Sequence, residues 1–212
     1  MKAAYDIRLP GGRLLKTTPV FDTYWYFASK RQEMFMRRVL GSTPPWSEDP
    51  ILSAYRFTNV YRASDRVSQY LIRHVIYEGS QNPEEVFFRT ILFKLFNKIQ
   101  TWESLYRKLG ELSWREFSFE AYAKVLDGLF EEGERVYSGA YIMPSPAFGN
   151  PRKHRNHLRL IEHMMADGAP KKIIKAGSLR GAFELLRSYP SLGDFLAFQF
   201  AIDINYSELT DF

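Results

Sequence analysis

Apolar residues recur at three- and four-residue spacing along nearly the whole chain, and this pattern constrains the fold more than any other feature. Glycine and proline separate the periodic segments, as they commonly do between helices. The spacing predicts helices over 21–40, 50–76, 83–96, 101–109, 118–132, 154–166, 178–188 and 194–206. Residues 135–143 could be extended, but the chain shows no convincing alternation of strand residues. The sequence therefore predicts an all-α protein.

Capping residues mark several of the predicted helix starts. Asn82 precedes a proline and stands three residues before Glu85, which is an asparagine version of the capping box. Thr101 and Ser118 are the predicted N-caps of the next two helices, and Gly110 is expected to end the first of these.

Composition excludes several classes of protein. The chain of 212 residues has no cysteine, which excludes disulfides, iron–sulfur clusters and thiolate zinc sites. No stretch approaches the roughly 18 apolar residues of a membrane span, and the N-terminus lacks the apolar run of a signal peptide. We therefore expect a cytoplasmic protein without a membrane partner, with residues 1–20 as an N-terminal extension and 21–212 as a single helical domain.

Positive charge is concentrated in one part of the chain. The net charge is +5, but residues 151–180 carry eight basic against two acidic residues, and 181–212 carry one against five. Such a basic segment is typical of a phosphate-binding surface, or else of a solvated helix face. The candidate contacts to a DNA backbone are Arg152, Lys153, Arg155, His157, Lys171, Lys172 and Lys175. The nearby histidines lack the cysteines or carboxylates that would complete a zinc site, so we expect no metal and no cofactor.

A short turn joins the last two predicted helices. Residues 189–197 read Tyr-Pro-Ser-Leu-Gly-Asp-Phe-Leu-Ala. Backbone N–H groups at such a turn, here around Ser191 and Gly193, can bind a phosphate oxygen at the start of the following helix. The segment resembles the hairpin of the helix-hairpin-helix DNA glycosylases, Leu-Pro-Gly-Val-Gly-x-x-Thr-Ala, and the resemblance places this motif at about 179–206. An ordinary helix–helix turn is the alternative.

The same resemblance implies a catalytic carboxylate. In that superfamily an aspartate follows the second glycine by a little under twenty residues, and Asp211 lies 18 residues after Gly193. Asp203, inside the last predicted helix, is expected to be a capping or packing partner. The chain departs from the pattern at Ser191, which must avoid a positive φ or accept strain. It departs again at Phe195, which stands where bifunctional glycosylases carry a Schiff-base lysine, so lysine-driven strand cleavage is not expected.

Longer stretches are similar to a more specific family. They include Phe-Asp-Thr-Tyr-Trp-Tyr-Phe-Ala at 21–28, Phe-Thr-Asn-Val-Tyr-Arg-Ala-Ser-Asp-Arg-Val-Ser-Gln-Tyr at 57–70, and Lys-His-Arg-Asn-His-Leu at 153–158. These look like the α-glutamyl/putrescinyl-thymine pyrophosphorylases, a family also described as the helical domain of 5-hydroxymethyluracil DNA kinases. The resemblance covers roughly residues 20–212. It implies a helix-hairpin-helix glycosylase-like fold that acts on hypermodified pyrimidines in DNA.

A base pocket is the second site that we expect. Asn59, Tyr61 and Arg62 are its candidate wall, because the amide of Asn59 can pair with a pyrimidine edge; a helix face with one polar cap is the alternative. Tyr24 belongs to an aromatic run that could stack a flipped base, although aromatics at helical spacing are more often part of a core.

Several functions remain open at this stage. A base-excising DNA glycosylase that flips a 5-substituted pyrimidine fits Asp211 and the hairpin best. A transferase that displaces pyrophosphate from a 5-pyrophosphoryloxymethyl pyrimidine, with an amino acid or polyamine, fits the family name better. The further alternatives are a non-catalytic module that binds modified DNA and a helical interaction protein. The chain has no Gly-x4-Gly-Lys-Ser/Thr loop, so it is not itself a P-loop kinase, and a kinase of the same pathway is a candidate partner beside modified DNA.

Overall fold

Ten α-helices, two short helical segments of other types and one β-hairpin form the regular structure of residues 5–212, the part that the computed structural model describes. The all-α prediction is confirmed. Residues 1–4 of the predicted N-terminal extension lie outside the described residues. The rest of that extension forms the antiparallel hairpin of β1 (Asp6–Arg8) and β2 (Leu14–Lys16).

The chain divides into two compact units, one ending at Asp65 and one beginning at Arg66. The single helical domain over 21–212 stays a prediction. After the β-hairpin, the first unit contains α1 (Phe21–Val39), α2 (Pro50–Ala54) and a 3₁₀ turn (Arg62–Ser64).

The predicted helix over 50–76 is wrong in its first half. α2 begins where Asp49 accepts hydrogen bonds from the N–H groups of Ile51 and Leu52, at 2.8 and 3.1 Å, but it ends after five residues. The backbone is already extended at Tyr55, and no regular helix forms again before residue 62. Aromatic and β-branched residues dominate 55–61, and these residue types lose side-chain freedom in a helix.

The second unit is helical throughout its regular structure. Its first helix continues directly into a π-helix, and the remaining helices are separated by turns and one long segment without helix or strand, residues 132–152. The elements are α3 (Arg66–Tyr70), a π-helix (Leu71–Ile76), α4 (Pro83–Phe96), α5 (Ile99–Leu109), α6 (Phe119–Glu131), α7 (Lys153–Ala166), α8 (Ala169–Ile174), α9 (Leu179–Arg187) and α10 (Asp194–Ile204).

The core of the second unit surrounds α4. Every residue from Val86 to Phe96 is buried, and α4 contacts the π-helix, α5, α7, α8 and α10. A helix that is apolar around most of its circumference is typically a central helix. Its one buried ammonium, on Lys94, lies 2.6 Å from the Asp203 carboxylate of α10, so Asp203 is a packing partner, as expected.

The capping predictions have mixed outcomes. Asn82 accepts a hydrogen bond from the N–H of Glu84 at 2.9 Å, and Ser118 caps α6, so both N-caps are confirmed. The capping box at Asn82 is wrong, because the Glu85 carboxylate accepts from the N–H groups of Trp114 and Arg115 instead. The Thr101 cap is wrong, because α5 begins at Ile99. The Thr101 hydroxyl is buried inside the helix and donates to the carbonyl of Val136 at 2.7 Å. This bond ties the 132–152 segment to the core.

The predicted extended run at 135–143 forms no strand. Among the described residues, no helix is both long enough and apolar enough to cross a membrane.

Candidate nucleic-acid interface

A cleft of about 610 Å³ opens in the first unit, between α1 and the irregular segments that flank α2. Three arginines and several aromatic side chains line it, and no acidic side chain is found among its described lining residues. We call it the first-unit cleft. Its lining residues are Arg31, Met34, Phe35, Arg38, Pro44, Pro45, Trp46, Leu52, Ser53, Tyr55, Arg56, Phe57, Thr58 and Asn59.

Arg31 holds one wall of the first-unit cleft in place. Its guanidinium Nε donates to the Thr58 carbonyl at 3.1 Å, and its Nη2 donates to the same carbonyl and to the Thr58 hydroxyl. The guanidinium also lies 4.8 Å from the ring centroid of Phe27, which packs edge-on against Phe57. These contacts satisfy a backbone carbonyl that the missing helix leaves without its usual partner.

Asn59 lies at the other end of this wall. Its amide Nδ2 donates to the Ser64 carbonyl at 2.7 Å, and its Oδ1 accepts a long hydrogen bond of 3.5 Å from Arg38. The Arg38 guanidinium lies 5.7 Å from the centroid of the Phe35 ring. The Asn59 amide is therefore engaged by the backbone of the 3₁₀ turn, and Arg38 presents the stronger hydrogen-bond donors to the cleft.

The other residues of the predicted base pocket do not line this cleft. Tyr24 lies on α1 with more than half of its side chain exposed, and its ring packs edge-on against Trp25. Tyr61 is exposed and Arg62 is half-buried, at the start of the 3₁₀ turn. Of the four predicted residues, the structure brings only Asn59 into the cleft.

Sequence reasoning missed the arginines and aromatic residues that do line it. The sequence carried a usable signal, because proline and tryptophan at 44–46 interrupt the helical pattern shortly before the Tyr55-Arg56-Phe57 run. A break of this kind brings polar and aromatic side chains from two segments onto one wall, which a continuous helix over 50–76 would not do.

In the second unit, Asp127 on α6 draws together the basic start of α7. Its carboxylate oxygens lie 2.9 Å from the Arg152 guanidinium, 2.6 Å from that of Arg155 and 2.6 Å from Nε2 of His154. Burial acts to raise the pKa of Asp127, but the hydrogen bonds from Arg155, His154 and Arg152 outweigh it and hold the pKa well below its usual range. Two of the predicted backbone contacts, Arg152 and Arg155, are thus engaged in a structural ion cluster.

His157 lies in the interior of the second unit, with 1% of its surface exposed. Its Nε2 lies 2.9 Å from the Pro144 carbonyl and its Nδ1 lies 2.6 Å from the Tyr137 hydroxyl. Because a carbonyl only accepts, Nε2 carries the proton and the tyrosine donates to Nδ1. Burial lowers the pKa of His157 to about 4, so the ring is neutral at pH 7. The structure therefore corrects the predicted placement, since a phosphate backbone cannot reach this side chain in the folded protein.

The lysines of α8 are at the surface. Lys172 lies 2.6 Å from Asp167 and Lys171 lies 3.5 Å from Glu84, while Lys175 is exposed at the end of the helix. Exposed pairs of this kind hold each other weakly, so these lysines stay accessible to an anion. Their predicted contact with DNA stays a prediction.

The last two helices form the expected helix–turn–helix. α9 and α10 pack against each other, and the Leu192 N–H donates to the Tyr189 carbonyl at 3.2 Å within the turn. Ser191 has a φ of +64°, so the serine accepts the left-handed strain that glycine would avoid, whereas Gly193 has a φ of −69°. Arg187 lies 2.7 Å from Asp194 at the start of α10, where a carboxylate competes with any phosphate.

Among residues 5–212, no group of three or more histidine, aspartate or glutamate side chains is arranged to hold a metal ion.

The comparisons with known proteins fix the family. The model of the family described as "5-hmdU DNA kinase, helical domain" matches residues 18–212. The chain belongs to this family. It is also similar to a 5-hmdU DNA kinase of Bacillus phage SP10, with 27% identity over 198 residues, which is 87% of this chain and 31% of that protein. The chain therefore spans about a third of the length of this relative. No solved structure matches the chain.

Membership of the 5-hmdU DNA kinase helical-domain family overturns one prediction. The base-excising glycosylase is wrong, because a kinase adds phosphate to its substrate and the similar phage protein is a kinase. Asp211 was assigned to glycosylase chemistry, and the structure places it exposed in the non-helical tail after α10. The catalytic role of Asp211 was inferred from the glycosylase reaction, so it no longer has a basis.

Proposed function

We propose that this chain binds DNA containing 5-hmdU and presents the 5-hydroxymethyl group for phosphorylation. The match to the 5-hmdU DNA kinase helical-domain family over residues 18–212 carries the proposal, because that region includes the whole first-unit cleft. The activity named for the phage relative belongs to a longer protein, and it comes to this chain as a proposal.

The first-unit cleft has the chemistry that an unpaired base and its flanking phosphates require. Aromatic faces such as those of Tyr55 and Trp46 can stack on any of the bases, and each stacked base contributes about 1–3 kcal/mol to binding. Arginine donors, with no acidic side chain beside them in the described lining, favour the negative backbone. The Arg38 guanidinium can in addition donate to a hydroxymethyl oxygen, which thymine lacks.

These 212 residues contain no P-loop to bind a phosphoryl donor, since the Gly-x4-Gly-Lys-Ser/Thr motif is absent. We therefore propose that this chain holds the modified DNA and supplies no P-loop to the phosphoryl transfer. The helix-hairpin-helix resemblance of α9 and α10 stays a prediction within this proposal, and the acidic Asp194 at the turn gives it little support as a phosphate site.

The test is DNA binding by a variant of the cleft. Tyr55→Ala removes an exposed ring from the first-unit cleft, and Tyr106→Ala removes an exposed ring from α5, outside it. We expect Tyr55→Ala to weaken binding of a single-stranded oligonucleotide carrying one 5-hmdU by about tenfold, as the loss of one stacked base implies. Fluorescence anisotropy measures the dissociation constants.

The matched control should bind as the wild-type chain does. Both variants have exposed sites, so circular dichroism should show unchanged helix content. Equal weakening by both substitutions, or none by either, would rule out the first-unit cleft as the base site.

A further inference from the structure

A second cleft, of about 770 Å³, lies between the end of α6 and the start of α7. We call it the α6–α7 cleft, and it is lined by residues 130, 133–137 and 151–154. Two aromatic rings form its walls. The ring of Phe130 lies 5.3 Å from the guanidinium of Arg152, and that of Tyr137 lies 4.2 Å from the ammonium of Lys153. The Tyr137 hydroxyl is fixed by His157, so this wall is held in place from behind.

Lys153 differs from its basic neighbours in having no opposing carboxylate. Arg152 and Arg155 each pair with Asp127, and Arg152 also lies 2.9 Å from Glu131. Within the described residues, Lys153 has no ion pair, and its cation faces a ring. Burial alone lowers the pKa of Lys153, which agrees with the absence of a nearby negative charge.

A half-buried ammonium without a counter-ion is costly to the folded protein, because it has lost part of its water without gaining a negative partner. The cost is removed when an anion enters the cleft. Arg135 and Arg152 also belong to the lining, which contains the single carboxylate of Glu134. The surroundings therefore favour an anionic ligand, and the aromatic walls with a volume near 770 Å³ suit one that is larger than a free inorganic ion.

We propose that the α6–α7 cleft binds a phosphate group attached to a nucleoside, with Lys153 as its counter-charge. Stacking on an aromatic wall and pairing with a cation are the two contacts by which proteins hold a nucleotide without reading its sequence. The phosphate can come from a DNA strand or from a free nucleoside triphosphate. This inference goes beyond the proposed function, because it requires neither a modified base nor the first-unit cleft.

The test compares two lysine substitutions on adjoining helices. Lys153→Met removes the charge from the cleft and keeps most of the apolar stem, whereas Lys124→Met removes an exposed charge from α6 outside the cleft. Two probes distinguish the sources of the phosphate. Binding of ATP is measured by isothermal titration calorimetry, and binding of a short thymidine oligonucleotide is measured by fluorescence anisotropy. We expect Lys153→Met to weaken one or both by about tenfold, as loss of a charged hydrogen bond implies. Lys124→Met should match the wild-type chain.

The pattern of losses identifies the phosphate. Weakening of the oligonucleotide alone, with the slope of log affinity against log salt smaller by about one, assigns the cleft to a DNA backbone. Weaker binding of ATP alone assigns the cleft to a free nucleotide. Weaker binding of both probes shows that the cleft accepts a phosphate from either source. Lys153→Arg keeps the charge and should retain most of the affinity, which separates loss of charge from loss of fold.

The proposal is overturned if the wild-type chain binds neither probe, or if Lys153→Met binds both as tightly as Lys124→Met does. Tyr55→Ala in the same titrations keeps the two proposals apart. If Tyr55→Ala loses affinity and Lys153→Met does not, this inference is wrong and the proposed function stands. If Lys153→Met loses affinity and Tyr55→Ala does not, this inference stands and the first-unit cleft is not the base site.

Discussion

His157 shows how a single buried residue organises the long segment between α6 and α7. One neutral imidazole donates to the Pro144 carbonyl and accepts from the Tyr137 hydroxyl, so it fixes two points of that segment and one wall of the α6–α7 cleft. A histidine in a basic stretch suggests a phosphate contact from sequence alone. Its burial can be known only once the packing of α7 is known.

The pH dependence of stability should report this histidine. The folded chain keeps His157 neutral down to a pKa of about 4, whereas the unfolded chain protonates it near 6.5. Between these values the unfolded state binds more protons, so the free energy of unfolding falls as pH drops from 6.5 to 4, by about 3 kcal/mol from this group. We expect His157→Gln to be less stable at pH 7 and to show a shallower decline over that window. Urea titrations at several pH values measure it.

His163 provides the control, because it lies on the same helix and is exposed. His163→Gln should keep the wild-type slope. A slope in His157→Gln equal to that of the wild-type chain would contradict the assignment of a neutral, buried ring.

Ser191 carries the backbone strain of the α9–α10 turn. Its φ of +64° costs an L-residue free energy that glycine does not lose, so Ser191→Gly should raise the free energy of unfolding by about 1 kcal/mol. Ser188, with a φ of −72°, sits just before the turn in an ordinary helical conformation, and Ser188→Gly should lower stability instead. Chemical denaturation of both variants gives the comparison. A destabilised Ser191→Gly would show that the serine side chain makes a contribution larger than the strain.

At the scale of elements, the Asp127 cluster determines how α6 meets α7. Three side chains from the start of α7 converge on one carboxylate, and the charges of Arg152 and Arg155, which would otherwise oppose the helix dipole, are neutralised there. This arrangement leaves Lys153 as the first-turn cation that faces the α6–α7 cleft.

Removing the carboxylate charge tests the cluster. Asp127→Asn leaves Arg152, His154 and Arg155 facing one another, and a partly buried pair that loses one partner typically costs several kcal/mol. We expect a loss of about 2 to 3 kcal/mol in the free energy of unfolding by urea titration, because the site is not fully buried. Glu131→Gln breaks only the exposed bond to Arg152 and should change stability little. Equal effects of the two substitutions would show that the cluster is held by packing and not by charge.

The sequence predicted helix starts better than it predicted tertiary contacts. Asn82 and Ser118 sit at the helix starts that their residue types indicate, since a cap depends only on neighbours within one turn. The helix over 50–76 was wrong because spacing alone cannot show that Arg31, from a distant part of the sequence, satisfies the Thr58 carbonyl and stabilises a non-helical segment. The predicted N-cap at Thr101 is wrong for the same reason, because its hydroxyl donates to the Val136 carbonyl, which is distant in the sequence.

At the scale of the whole molecule, net charge located the basic segment but not its use. Arg152 and Arg155 are paired with Asp127 and His157 is buried, while Lys153 and the α8 lysines remain available to an anion. The first-unit cleft was not predicted, apart from Asn59, because its wall exists only where the expected helix fails to form. The family resemblance, which depends on long strings of residues, correctly gave the kinase-associated family, whereas the short hairpin motif suggested the wrong reaction.

The two units divide the proposed work between them. The first presents arginines and aromatic rings without acidic residues in its described lining, which suits the base and its flanking phosphates. The second carries the α6–α7 cleft, with a half-buried lysine that lacks a counter-ion. On this account the chain holds modified DNA for a phosphoryl transfer whose P-loop, if the donor is bound by one, is supplied by residues other than these.

The most direct test of the central claim is the ratio of affinities for two oligonucleotides that differ only at one base, 5-hmdU or thymidine. One additional hydrogen bond to the hydroxymethyl oxygen is worth about 1 kcal/mol, so the wild-type chain should prefer 5-hmdU by about fivefold. Arg38→Met should abolish the preference while Tyr106→Ala keeps it. Equal affinity of the wild-type chain for both oligonucleotides would contradict the claim that this chain recognises the modified base.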